Sequence, residues 1–321
     1  MKNHKIIKQI ISILIISMLT CNFYSCTYRD EKTSSIKTLI DETDDPSLNN
    51  EEQKNSEDTI ISDSEVSYTT EKVYIDFSTP YATYSIINDG YATLYKVNRN
   101  VANFKNKTVA VNAGHGTKGG EKIKTFSHPD FSPKLTGGTN AEGSILSSAV
   151  SAGMTFENGM TEANANLVVA YALKDKLLDS GYSVLMIREN DDCRLDNIAR
   201  TVIANANADA HIAIHFDSTD NDKGIFYIAP YNDERYLGME PLKSNVQNIR
   251  KLGNSIIEAF REMGEKIWKD KGTLQGDLTQ LSFSTNASVD IELGDKKTEL
   301  TFEKAEIFAE GLKKGVDKFF E

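Results

Sequence analysis

The chain has 321 residues, 39% hydrophobic and 26% charged, enough apolar material for one sizeable core in a single main domain. That composition excludes a wholly disordered chain. A formal net charge of -11 excludes nucleic acid as a partner, because an acidic surface repels phosphates instead of neutralising them.

Lysines at 2, 5 and 8 precede an apolar run from Ile10 to Leu19 and then Cys21 and Cys26, the pattern of an export signal over residues 1–26. The run is shorter than the roughly 18 to 20 residues a membrane-spanning helix needs. Cys21 or Cys26 stands where a bacterial lipoprotein, which this segment resembles, accepts its lipid, so the signal is either cleaved or lipidated. Both outcomes place the chain outside the cytoplasm, secreted or tethered at the outer face of the membrane. Only Cys193 lies beyond the signal, set among acids that would raise its pKa, and reads as an inert small residue with no disulfide partner.

Residues 27–71 read as an acidic solvated linker: from Thr27 to Thr70, Asp and Glu outnumber Lys and Arg by 12 to 4, with no apolar period. Residues 72–105 hold the short aromatic and β-branched runs VYIDF, YATYSII and YATLYKV. NDG separates the last two, which predicts a small β adjunct with a hairpin turn.

From residue 106 to 321 strand and helix signals alternate. TVAVNA predicts a buried strand. In the next helix Leu167, Tyr171, Leu173, Leu177 and Leu178 recur at near-helical spacing, with Thr161 as N-cap and Gly181 as the stop. YSVLMIR, AHIAIHF, GIFYIAP and ASVDIEL predict further strands; LDNIARTVIANANA, Leu242–Met263 and Phe302–Phe319 predict helices. The expected fold is α/β, a mostly parallel sheet with helices on both faces, plus the small N-terminal β adjunct.

Functional residues of open α/β sheets collect beyond the carboxyl ends of the strands. There His115 follows TVAVNAG, His215 follows AHIAI, Glu292 follows ASVDI, and Glu162 opens the first long helix. Each alone has a bland explanation, such as a hydrogen-bonded strand-end histidine or a carboxylate complementing a helix dipole. Together, two imidazoles and a carboxylate at one rim suit zinc with an open coordination position. The glycines flanking His115 let the backbone turn there.

These motifs resemble, in order, those of the zinc-dependent N-acetylmuramoyl-L-alanine amidases of the amidase 3 type, which cut peptidoglycan. VNAGHG is similar to their opening element and TEANANL to their glutamate motif, with Asn166 four residues after Glu162. RTVIAN with ADAHIAIH supplies Arg200, Asn205 and His215, and VDIELG supplies Glu292. The resemblance implies that His115, Glu162 and His215 bind zinc, and that Glu292 is the catalytic acid or base. It also implies peptidoglycan as the partner, the cell wall as the location, and a monomer. Asn112 stands where the family often has Asp, which leaves a neutral amide where a carboxylate would orient the first ligand.

The largest departure is the insert over residues 117–160, whose Phe126, Phe131 and Phe156 predict an ordered flap or wall beside the metal. His211, about 13 Å along the strand from His215, is expected to be packed and neutral, because four strand residues separate the two. His128 is expected to bond within the flap, and Trp268 to pack. The competing readings are another zinc-dependent cell-wall peptidase, and a catalytically silent wall-binding or regulatory lipoprotein with the same fold.

Overall fold

The computed structural model describes residues 66–321. The expected export signal and most of the expected linker lie outside the described residues. Among these residues no helix is long and apolar enough to cross a membrane.

Among the described residues, ten strands and six α-helices form in chain order. The strands are β1 (Tyr68–Val73), β2 (Ala92–Val97), β3 (Thr108–Ala113), β4 (Lys124–Phe126), β5 (Leu146–Ser148), β6 (Ser183–Met186), β7 (Ala210–Asp217), β8 (Phe226–Pro230), β9 (Thr273–Gly276) and β10 (Ala287–Asp295). The helices are α1 (Glu162–Asp179), α2 (Asn197–Asn207), α3 (Glu234–Leu237), α4 (Leu242–Glu262), α5 (Thr279–Phe283) and α6 (Phe302–Phe320). Eight strands make one sheet in the order β1-β2-β6-β3-β7-β10-β8-β9, and β4 and β5 pair separately inside the insert.

The middle of the sheet, β6-β3-β7-β10, is parallel, as crossover helices require. Its strands read as continuous apolar runs because both faces are covered: Val109, Val111, Ile212, Ile214, Val289 and Ile291 are all buried. Helices begin where the sequence offers an oxygen to an orphan N–H. Thr161 accepts from Asn164 N, Asp196 from Ala199 N and Thr301 from Lys304 N.

The region expected to be a small β adjunct forms the antiparallel margin of the main sheet, with β2 paired to β6. Its strands also differ from expectation. β1 begins at Tyr68, inside the stretch expected to be linker, while YATYSII forms only a 3-10 turn at Ala82–Tyr84. Backbone N–H groups of Ile86 and Ile87 are taken up by Asp196 at the start of α2, so side-chain acceptance replaces a ladder there. NDG is not a hairpin turn: Asn88 bridges to Leu195 and Asp89 pairs with Arg194.

Candidate metal centre

Register decides what meets at the rim. Along β7 and β10 the parallel pairing sets Glu292 opposite His215, and along β3 and β7 it sets Ala113 opposite Ile214. Gly114 then donates to Ile214 O (3.0 Å), so His115 leaves the sheet beside His215. Only glycine fits at 114, since an added Cβ would fall 2.2 Å from His215 Cε1. His115 (φ 64°) and Gly116 (φ 68°) both take the left-handed conformation, turning the chain back on itself.

A non-glycine residue in that region costs about 1–3 kcal/mol and persists only when its surroundings enforce it. Two buried arginines do so. Arg188 donates to Ala113 O and Gly114 O, both at 3.0 Å, and Arg200 donates to Ala113 O (3.2 Å) and His115 O (2.6 Å). Burial, with the charge of Arg200 beside it, pulls Arg188 down to about 9.

Three donor atoms converge within this frame. His115 Nε2 lies 2.8 Å from Glu162 Oε1, His215 Nδ1 lies 3.0 Å from the same oxygen, and the two ring nitrogens are 3.1 Å apart. Suitable ligand atoms of the three residues all fall within 4.8 Å of one another. Two of the three residues have further polar contacts that hold them. His115 Nδ1 is 2.8 Å from the carbonyl of Ser151, an acceptor that keeps a proton on Nδ1, so that in the neutral ring Nε2 is the nitrogen with the lone pair. Glu162 Oε2 accepts from Met154 N (2.9 Å) and Oε1 from Phe216 N (3.2 Å).

The electrostatics follow from that crowding. Burial opposes ionisation of Glu162, yet the hydrogen bonds and charges of His115 and His215 hold its carboxyl well below the usual range. Burial would lower His215, but the carboxylates of Asp290 and Glu162 outweigh it and push the imidazole up to about 9. Glu292 moves the other way: burial, then the neighbouring carboxylates Asp290, Glu162 and Asp217, raise it well above the usual value against the pull of His215. Glu292 Oε2 is buried and has no hydrogen-bond partner.

These side chains line one cavity of about 570 Å³, which is also lined by Gly137–Asn140, Ser147, Ser148 and Val150–Met154 of the insert and by Leu274 and Leu278. The insert is fastened by Asp277, which accepts from Lys134 Nζ (2.7 Å), Leu135 N (2.6 Å) and Thr136 Oγ1. His128 Nε2 stands 3.3 Å from the same carboxylate, and its Nδ1 pairs with Ser132 Oγ (3.0 Å).

Other residues singled out in the sequence do not join the cluster. Asn112 does not orient His115: its Oδ1 accepts from Arg200 and its Nδ2 donates to His211 Nε2 (3.2 Å). The expected orienting role falls instead to the Ser151 carbonyl. His211, fully buried, is pushed down to about 3 by desolvation and by Arg200, hence neutral. Asn205 ties α2 to the end of α5 and the segment after it, donating to Phe283 O and accepting from Thr285 N. Asn166 donates to Gly114 O, Cys193 is buried against Arg200 and Thr117, and Trp268 packs on Phe226. Two residues of the rim escaped the sequence reading. Arg188 follows β6, and Asp290 shares a β10 face with Glu292, a placement that strand alternation alone implies.

Residues 109–316 match the family model described as N-acetylmuramoyl-L-alanine amidase. Among solved structures, the chain is similar to an apo N-acetylmuramyl-L-alanine amidase, Ami1, from Mycobacterium abscessus, at 17% identity and a TM-score of 0.52, covering 67% of this chain and 99% of that one. It is also similar to Ami1 from Mycobacterium smegmatis, at 16% identity and a TM-score of 0.52, covering 67% and 97% of the two chains. At these identities the likeness establishes the shared α/β fold. No curated protein matches the chain.

Proposed function

The chain belongs to the family of N-acetylmuramoyl-L-alanine amidases, enzymes of peptidoglycan and the cell wall, and from that premise we propose a zinc-dependent hydrolase whose ion is held by His115, Glu162 and His215. The bond cleaved is the amide between the lactyl group of N-acetylmuramic acid and L-alanine. The observation that carries this reading is the convergence of two imidazole nitrogens and a carboxylate oxygen, all within 4.8 Å, beside Glu292, whose buried Oε2 has no hydrogen-bond partner.

The chemistry zinc supplies when bound is Lewis acidity, which polarises the scissile carbonyl and acidifies water. The remaining steps belong to the chain's own groups. Ser151 O and Phe216 N hold His115 and Glu162 in place through the hydrogen bonds described above. Glu292, opposite His215 across the β7–β10 ladder, is the acid-base group: it takes a proton from the attacking water and returns it to the leaving amine of L-alanine. A raised carboxyl pKa suits a group that must both accept and donate near neutrality. The insert wall excludes water and confines the stem peptide to the groove. The same reading includes export, with cleavage or lipidation at Cys21 or Cys26, and a monomeric enzyme.

The test is to incubate the full chain with purified muropeptides, with zinc and with a chelator, and to identify the products by mass. Zinc-dependent release of peptides with free L-alanine amino termini is expected. Cleavage within the stem peptide would make the protein a peptidase instead, and no cleavage with zinc bound would make it a binding protein.

A further inference from the structure

The two histidines of the cluster are supported unequally. His115 has its outer nitrogen committed to a backbone carbonyl, whereas His215 presents Nδ1 to the cluster and turns Nε2 toward Asp290 Oδ2, 3.6 Å away. A neutral imidazole that offers Nδ1 as a donor atom carries its proton on Nε2, and that N–H needs an acceptor. Asp290 is buried, 8% exposed, and among the described residues its one ionic contact is this ring. It pairs with Ala213 in the ladder, one side-chain step before the Glu292–His215 pair and on the same face. A buried carboxylate with so little compensation is costly unless it serves something.

We propose that Asp290 is the positioning residue of His215: it accepts the Nε2 proton and so fixes the tautomer that leaves Nδ1 bare for the metal. This rests on the reading that His115, Glu162 and His215 hold zinc. The 3.6 Å separation becomes a hydrogen bond with a side-chain shift of roughly half an ångström. Carboxylates that accept from the outer nitrogen of a ligating histidine orient the ring and raise its basicity. The two acids of β10 then divide the work. Asp290 acts through His215, and Glu292, with a free oxygen, faces the reaction.

The experiment measures zinc affinity of the full chain by chelator competition, with circular dichroism as the check on folding. D290A is expected to weaken zinc binding about 10- to 100-fold. D290N should weaken it less, because the amide oxygen still accepts the Nε2 proton, and kcat at saturating zinc should fall less than affinity does. A folded D290A that binds zinc as tightly as the parent, while H215A loses it, overturns the inference and leaves the metal reading standing. A parent that retains no zinc overturns the metal reading and the inference with it. Should D290A fail to fold, the unmutated zinc-loaded protein, labelled with nitrogen-15, decides: His215 ligated through Nδ1 with a slowly exchanging Nε2–H supports the proposal, and ligation through Nε2 overturns it.

Discussion

At the rim around His215 and at the anchor of the insert around Asp277, buried charged groups are partnered in opposite ways. Asp277 is saturated, with Lys134, Leu135 N and Thr136 donating to its two oxygens and His128 close by. Burial alone would raise its pKa, but these donors hold it well below the usual carboxylate range. At the rim, Glu292 Oε2 has no partner and three ligand atoms of His115, Glu162 and His215 crowd one another. An unsatisfied buried polar group costs roughly 1–3 kcal/mol. A fold carries that cost where a ligand completes the set, and removes it where the group is only scaffold.

The comparison breaks most severely at Glu292. Glu292→Gln should lower kcat by about 10²- to 10⁴-fold, the usual worth of a positioned proton-transfer group, with zinc content unchanged. Turnover of muropeptides beside metal analysis of the same sample checks it, and a variant of near-parental rate would remove Glu292 from the mechanism. Asp277→Ala acts on the other member. Stranding Lys134 without its buried partner should destabilise the chain by about 3–5 kcal/mol in denaturant unfolding. Limited proteolysis should then cut first within residues 117–160. An insert that stays protected would show that it is held by its apolar contacts, Phe126 and Phe131 on Tyr84, rather than by the ion pair.

The same contrast explains what could be read in advance. The parallel strands and long helices announce themselves through apolar runs, 3.6-residue spacing and caps such as Thr161, all local signals. Four rim residues were legible because strand ends and a helix start locate them without knowledge of register. Asp290 was not, although alternation puts it with Glu292, because its meaning depends on which strand lies beside β10. The anchor was least legible of all, since Lys134 and Asp277 are 143 residues apart and no local pattern links them. In the insert β4 and β5 have three residues each, too short for a period, and the β1–β2 connection replaces ladder bonds with Asp196.

Titration sharpens the rim's half of the comparison. In the zinc-free protein His215 is raised from 6.5 to about 9, so its protonated form stabilises the fold fully below 6.5, and that contribution is lost as pH rises through 9. Glu162 is depressed from 4.5, so its contribution is present above that value and lost only as pH falls well below it. The zinc-free chain should therefore lose thermal stability between pH 6.5 and 9. Because zinc competes with the His215 proton, the increase in Tm on adding zinc should grow across the same window. Melting curves with and without zinc test this, with His215→Gln expected to flatten both trends; an increment constant with pH would mean His215 is not the linked group.

The smallest expected effect separates backbone strain from contact with the site, because the insert offers two glycines of equal φ and unequal surroundings. Gly153 and Gly143 both sit at φ 82°. A Cβ at Gly143 meets nothing within 4 Å, whereas one at Gly153 falls 2.9 Å from His115 Cδ2 and 3.0 Å from Glu162 Oε2. Alanine at either position incurs the left-handed penalty of about 1–2 kcal/mol. Only Gly153→Ala should also displace two ligands, weakening zinc several-fold, while Gly143→Ala leaves affinity unchanged. Equal affinities in the two variants would mean that the insert walls the groove without fixing the ligands, and that the Ser151–Met154 bonds follow the cluster's geometry rather than setting it.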